Sequence, residues 1–136
     1  MKAEDLMIGD WVYAIDGDEI KRPCRIATLE YDSTNKRDDF SIDFYGTDYE
    51  VEWPDVTFEV EPIPLTAEIL EKNGARKSLL MGEQRHFTYW LDGLEILAIY
   101  DADFSFQING NARKLKYVHE LQHALKLCGI EKEIEL

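Results

Sequence analysis

Between residues 119 and 123 the chain reads His119-Glu120-Leu121-Gln122-His123, the pattern H-E-x-x-H. On a helix, residues four apart lie one above the other, so the two imidazoles would stand one turn apart with a carboxylate beside them. Zinc hydrolases use that arrangement. His119 and His123 would bind the metal, and Glu120 would act as general base on the metal-bound water.

The chemistry needs more than these five residues. A catalytic zinc takes three protein ligands and leaves the fourth position to water. The metzincin extension would want Gly at position 126 and His at position 129, where this chain has Lys126 and Gly129. A carboxylate from a later helix has little room, because 13 residues follow His123. The third ligand would have to be Glu131, Glu133 or Glu135 folding back, or His86, the one other histidine. Lys116 and Lys126 beside the motif would repel a dication. At 100° per residue, Val118, Leu121, Leu125 and Cys128 form one apolar stripe, with Tyr117 and Ala124 beside it. His119 and His123 are then expected on the opposite, outward side.

Other residues carry weaker chemical signals. Cys128 lies on the apolar stripe and reads as packing. Cys24 sits between Arg22 and Arg25, which would lower its pKa, but no histidine is near it in sequence, so a structural thiol is expected. Asp16-Gly17-Asp18 and Asp101-Ala102-Asp103 lack the further ligands of a calcium loop and read as turns. The sequence has neither a glycine-rich phosphate loop nor a nucleophile elbow.

The elements that would position these residues divide at Glu61-Pro62-Ile63-Pro64. Before it, strand signals dominate: Trp11 to Ile15, a long run from about Ile20 to Tyr31 kinked or bulged near Pro23, and three clean alternations. Phe40, Ile42 and Phe44 alternate with polar residues, as do Tyr49, Val51 and Trp53, and Val56, Phe58 and Val60. Five short strands in the 1–64 segment predict an SH3-like small barrel or a strongly twisted antiparallel sheet. After Pro64 a short helix is expected, capped by Thr66 and stopped at Asn73-Gly74, with Leu65, Ile69 and Leu70 on its buried side. Residues 77–81 read as a strand or turn.

Two hairpins follow. Asp92-Gly93 and Asn109-Gly110 suit two-residue type I′ turns, giving hairpins over 86–100 and 104–116. The first register places Phe87, Tyr89 and Leu91 on one face with Leu94, Ile96 and Ala98. The opposite face carries His86, Thr88 and Trp90 with Glu95, Leu97 and Ile99. Trp90, Leu97 and Ile99 then need a cover: the first helix, the N-terminal sheet, or another copy of the protein. A helix over 117–128 ends at Gly129, and residues 130–136 read as an edge strand. The predicted class is α+β, with subdomains 1–64 and 65–136.

Charge limits the function classes. The chain of 136 residues carries a net −13, with 6 Lys/Arg against 17 Asp/Glu in residues 1–65 and 9 against 11 in residues 66–136. The acidic half repels phosphates, so nucleic-acid binding is disfavoured. It would attract a basic protein partner, or mimic nucleic acid toward a protein that binds it. A hydrophobic fraction of 45% and no apolar run of bilayer length predict a globular protein without a membrane span. Two cysteines and an acidic start, Met1-Lys2-Ala3-Glu4-Asp5, predict a reduced, cytoplasmic protein without a secretory leader.

Three stretches carry a resemblance: Ala3-Glu4-Asp5-Leu6-Met7-Ile8-Gly9-Asp10-Trp11-Val12, Val60-Glu61-Pro62-Ile63-Pro64-Leu65-Thr66-Ala67-Glu68-Ile69-Leu70-Glu71, and the stretch from Tyr117-Val118-His119-Glu120-Leu121-Gln122 to Leu136. Together they resemble a group of small, functionally uncharacterised proteins of Bacteroides-type gut bacteria. The resemblance implies a cytoplasmic bacterial protein and brings no activity or site residue with it. The first functional expectation is therefore a non-enzymatic interaction or adaptor protein with no cofactor. Its partner surface would be Trp90, Leu97 and Ile99, facing an unidentified protein or a second copy in a homodimer. A zinc-dependent hydrolase is the alternative, and a nucleic-acid mimic the third.

Overall fold

The computed structural model describes residues 5–15, 20–31, 40–45, 59–79 and 86–136. The chain is α+β, with two antiparallel sheets and two helices, and divides into two compact units, Met1–Ile63 and Pro64–Leu136.

The first unit contains β1 (Trp11–Ile15), β2 (Lys21–Tyr31), β3 (Phe40–Tyr45) and β4 (Glu59–Pro62), in the order β3-β2-β1-β4. Among the described residues this sheet is open, with β3 and β4 at its edges, so of the two expected forms it is the antiparallel sheet and not a closed barrel. The expected run at 49–53 lies outside the described residues. Of the run expected at 56–60, residues 56–58 lie outside the described residues, and the strand continues over Glu59–Pro62. Alternation holds along β1, where Val12 and Ala14 are buried, and Val12 joins Leu6 and Ile26 in a small core with Val60 packed on it.

The irregularity expected at Pro23 occurs further on, between Ile26 and Thr28 in the pairing with β3. Pro23 itself is regular and faces Tyr13 of β1. Among the described residues the pairing with β3 begins at Arg25, beyond Pro23.

The second unit opens with α1 (Ala67–Lys72). Thr66 caps it, its hydroxyl accepting from the Ile69 N–H at 3.3 Å. Gly74, at φ +87°, ends it in a Schellman motif: the Gly74 N–H bonds the Glu71 carbonyl and the Ala75 N–H the Leu70 carbonyl. Leu65 and Leu70 are buried, as their spacing predicts.

A five-stranded sheet follows in sequence order: β5 (Arg76–Leu79), β6 (His86–Leu91), β7 (Leu94–Ile99), β8 (Asp103–Ile108) and β9 (Asn111–Leu115). Asp92 and Gly93 have φ +46° and +94°, and Asn109 and Gly110 have +51° and +80°, so both hairpins turn as type I′. The register pairs Phe87 with Ala98, Tyr89 with Ile96 and Leu91 with Leu94, and that face is the core face. Both edge strands carry a basic pair, Arg76-Lys77 and Arg113-Lys114, which discourages further strand pairing.

The second helix, α2 (Val118–Leu127), lies against β9 and ends in a second Schellman motif at Gly129. Its start is tied to that of α1 by a bridge from Pro64 to Tyr117 and by the Leu65 N–H on the Lys116 carbonyl at 2.9 Å. Residues 130–136 are not the edge strand their alternation suggested. Odd positions face out and even positions in, but one side chain takes the place of a ladder. Asn73 Oδ1 accepts from the Glu135 N–H, and Asn73 Nδ2 donates to the Glu135 carbonyl, both at 2.8 Å. Among the described residues no helix is long and apolar enough to cross a membrane.

Candidate functional site

The H-E-x-x-H residues fall in the first two turns of α2, and their environment differs from the expected one. Tyr117 is the N-cap and offers no side-chain cap bond. Glu120, three residues on, reaches back instead: its carboxylate accepts from the backbone N–H groups of Lys116 and Tyr117. This is half of a capping box, so the carboxylate serves the helix terminus. Partial burial pushes the Glu120 pKa up, against these bonds and the nearby charges of Lys116 and His123.

The two histidines are not both outward. His119 is buried, at 5% exposure, and His123 is half-buried. The Tyr117 ring stacks on His119 at 5.8 Å between centroids with planes 7° apart, and the His123 ring meets it edge-on at 5.6 Å and 72°. A helical wheel misses this, because Tyr117 lies before the helix in extended backbone and folds its ring over the first turn.

Among the described residues no three His, Cys, Asp or Glu side chains are grouped to hold a metal ion. Glu131, Glu133 and Glu135 are exposed, and His86 stands in β6 opposite Ile99.

Cysteine placement also departs from expectation at one position. Cys128 is the C-cap of α2 and is exposed, because the stripe ends with the last helical turn. Cys24 is buried on the inner side of β2, and burial raises its thiol pKa in spite of the Arg22 charge. Asp16-Gly17-Asp18 lies outside the described residues.

The face opposite the second sheet's core carries Trp90, Leu97 and Ile99 together. Its rows run Arg76–Trp90–Glu95, Ser78–Thr88–Leu97–Ser105 and His86–Ile99–Asp103 across successive strands. Trp90 is 45% exposed and Ile99 41%, while Leu97 is half-buried. Charged and polar side chains flank this apolar stripe. Within it Thr88 is buried, and its Oγ1 has no hydrogen-bond partner among the described residues.

The turn expected at Asp101-Ala102-Asp103 is present near this face, in an uncommon form. The turn from β7 to β8 places Tyr100 and Asp101 at φ +55° and +56°, closed by the Ala102 N–H on the Ile99 carbonyl at 3.1 Å. Aspartate is among the residues such a turn favours, and tyrosine is not. Asp101 is held by Tyr89, whose hydroxyl donates to Oδ1, and by the Lys77 ammonium on Oδ2, both at 2.8 Å. The same ammonium lies 4.0 Å from the Phe87 ring centroid. Tyr100 projects beyond the stripe at 63% exposure.

Compared with protein-family models, with curated proteins and with solved structures, the chain matches none.

Proposed function

We propose that this is a non-enzymatic interaction protein of the bacterial cytoplasm, which engages a protein partner through the Trp90–Leu97–Ile99 face. The observation that carries the reading is the exposure of Trp90 and Ile99 on a sheet whose opposite face supplies the buried Tyr89, Leu91, Leu94, Ile96, Ala98 and Phe104. Large aromatic and aliphatic side chains ringed by polar groups are the composition of a binding patch. The acidic charge, −11 over residues 1–65, favours a basic partner and disfavours nucleic acid. In the same reading the first unit is an SH3-like module, supported by its short antiparallel strands and its long, bulged β2.

The test compares wild type with a Trp90→Ser, Ile99→Ser variant. Size exclusion with light scattering reports self-association, and quantitative co-purification from a bacterial lysate reports other partners. The expected result is a complex formed by wild type and lost in the variant, with the fold unchanged by circular dichroism. Identical behaviour of the two proteins in both measurements would overturn the proposal.

The zinc-hydrolase reading rests on the adjacency of the His119 and His123 rings. It requires stoichiometric zinc in protein purified without chelator, and loss of that zinc in His123→Ala. A nucleic-acid mimic would instead show salt-sensitive binding to a DNA-binding protein through the acidic half.

A further inference from the structure

Trp90 has a neighbour of each charge on the outward face of the second sheet. Arg76 stands opposite it in β5 and Glu95 in β7, so the three side chains leave the sheet on the same side. Adjacent strands lie about 4.8 Å apart, which sets the arginine and glutamate positions about 10 Å from each other with the indole between them. All three residues are exposed. Among the described residues, Arg76 and Glu95 are paired neither with each other nor with another charge.

The face as a whole is balanced. Its outward positions carry Arg76 and Lys114 against Glu95 and Asp103. The acidic excess that favours a basic partner lies elsewhere in the sequence, in residues 1–65. This face therefore does not repel its own copy. The basic pairs on both edge strands disfavour edge-to-edge pairing, so a copy would meet the sheet face to face.

We infer that the partner at this face is a second copy of the chain, packed about a twofold axis that runs along β6. The inference rests on the reading of Trp90, Leu97 and Ile99 as a binding face and names its occupant. In a twofold contact one patch serves both subunits, so its charges must complement themselves. An axis across the strands at Trp90 would bring Arg76 onto Arg76 and Glu95 onto Glu95. An axis along β6 exchanges β5 with β7 instead. Arg76 then meets Glu95 of the partner subunit, Glu95 meets Arg76 of the partner subunit, and the two Trp90 rings meet between them. This is an aromatic centre with charged pairs at its rim. A basic protein in the same place would satisfy Glu95 and repel Arg76.

The test follows the full chain by light scattering over a dilution series from about 100 to about 1 μM. Wild type should show a monomer–dimer equilibrium, and Trp90→Ser should abolish it. Arg76→Glu sets glutamate against glutamate twice, and Glu95→Arg sets arginine against arginine twice. Each variant should dissociate at least about tenfold more readily than wild type. Mixing the two variants should restore dimers, because every rim contact again joins opposite charges. The double variant Arg76→Glu, Glu95→Arg should dimerise with itself for the same reason. Damage to the fold would not be repaired by mixing.

A wild type that stays monomeric throughout, single variants that dimerise as wild type does, or a mixture that fails to associate would each overturn the inference. If wild type is monomeric and the Trp90→Ser, Ile99→Ser variant still loses a partner present in the lysate, the second copy is ruled out and the binding face stands. If the face variant changes nothing in either measurement, both fall.

Discussion

The Tyr89 hydroxyl, on the core face of β6, donates a 2.8 Å hydrogen bond to Oδ1 of Asp101 in the next turn but one. Burial first, and this bond second, hold the phenol well above its ordinary pKa. The Lys77 bond lowers the Asp101 pKa most; burial, the next largest effect, opposes it, and the Tyr89 bond adds to the lowering. The pair ties a fully buried side chain to a turn whose two central residues both have positive φ.

Asp101→Ala should therefore destabilise the fold by about 1–3 kcal/mol, because it leaves the buried Tyr89 hydroxyl without its acceptor. Asp101→Gly should cost about 1 kcal/mol less than Asp101→Ala, since glycine accepts the positive φ. Urea unfolding of the two variants separates the bond from the backbone term.

The same carboxylate predicts an acid dependence. Its folded pKa is lowered from 3.8, so its contribution is present above that value and is lost as pH falls through the folded pKa. The stability gap between wild type and Asp101→Asn should narrow as pH drops below 3.8, and a gap constant down to the acid transition would contradict the assignment.

Tyr100 shares the strained turn but is 63% exposed and packs little. Tyr100→Gly should raise stability by up to about 1 kcal/mol, relief of the left-handed conformation outweighing the added freedom of the unfolded chain. Thermal unfolding would show it directly, and a lower midpoint would mean that the ring packs more than its exposure indicates.

Glu120 acts in the opposite sense to Asp101. Its folded pKa is raised above 4.5, so its protonated form is favoured in the folded state. That contribution is present below 4.5 and fades as pH rises through the folded value. Glu120→Gln should be nearly independent of pH over that interval. Glu120→Ala should cost about 1 kcal/mol through loss of the helix cap. Measuring both across pH 4 to 7 tests the capping role.

Gly93 and Gly110 sit at φ +94° and +80° with open space where a side chain would go. Gly93→Ala should cost about 1–2 kcal/mol from the backbone alone, with no steric clash to relieve. Gly110→Ala should behave alike, and an unequal cost would point to packing at one of the turns.

Much of the second unit was legible in its residues because its signals are local. Thr66, Asn73-Gly74, Asp92-Gly93, Asn109-Gly110 and Gly129 each specify a cap or turn within four residues. Once the first hairpin turn is known, the period of two along a strand assigns Tyr89 to one face and Trp90 to the other. The first unit was less legible. Pro23 looked like a break, yet it pairs regularly with Tyr13 and the irregularity falls between Ile26 and Thr28, a fact of pairing that no local pattern carries.

The candidate site divides in the same way. Sequence alone determined that Trp90, Leu97 and Ile99 share a face, since hairpin register is a local property. It also placed His119, Glu120 and His123 on one helix. Only the tertiary structure decided that His119 is covered by Tyr117, that Glu120 caps the helix, and that Asn73 grips Glu135 62 positions away. Burial and long-range hydrogen bonding depend on which surfaces meet. Periodicity reports the face a residue occupies, but not what comes to rest against it.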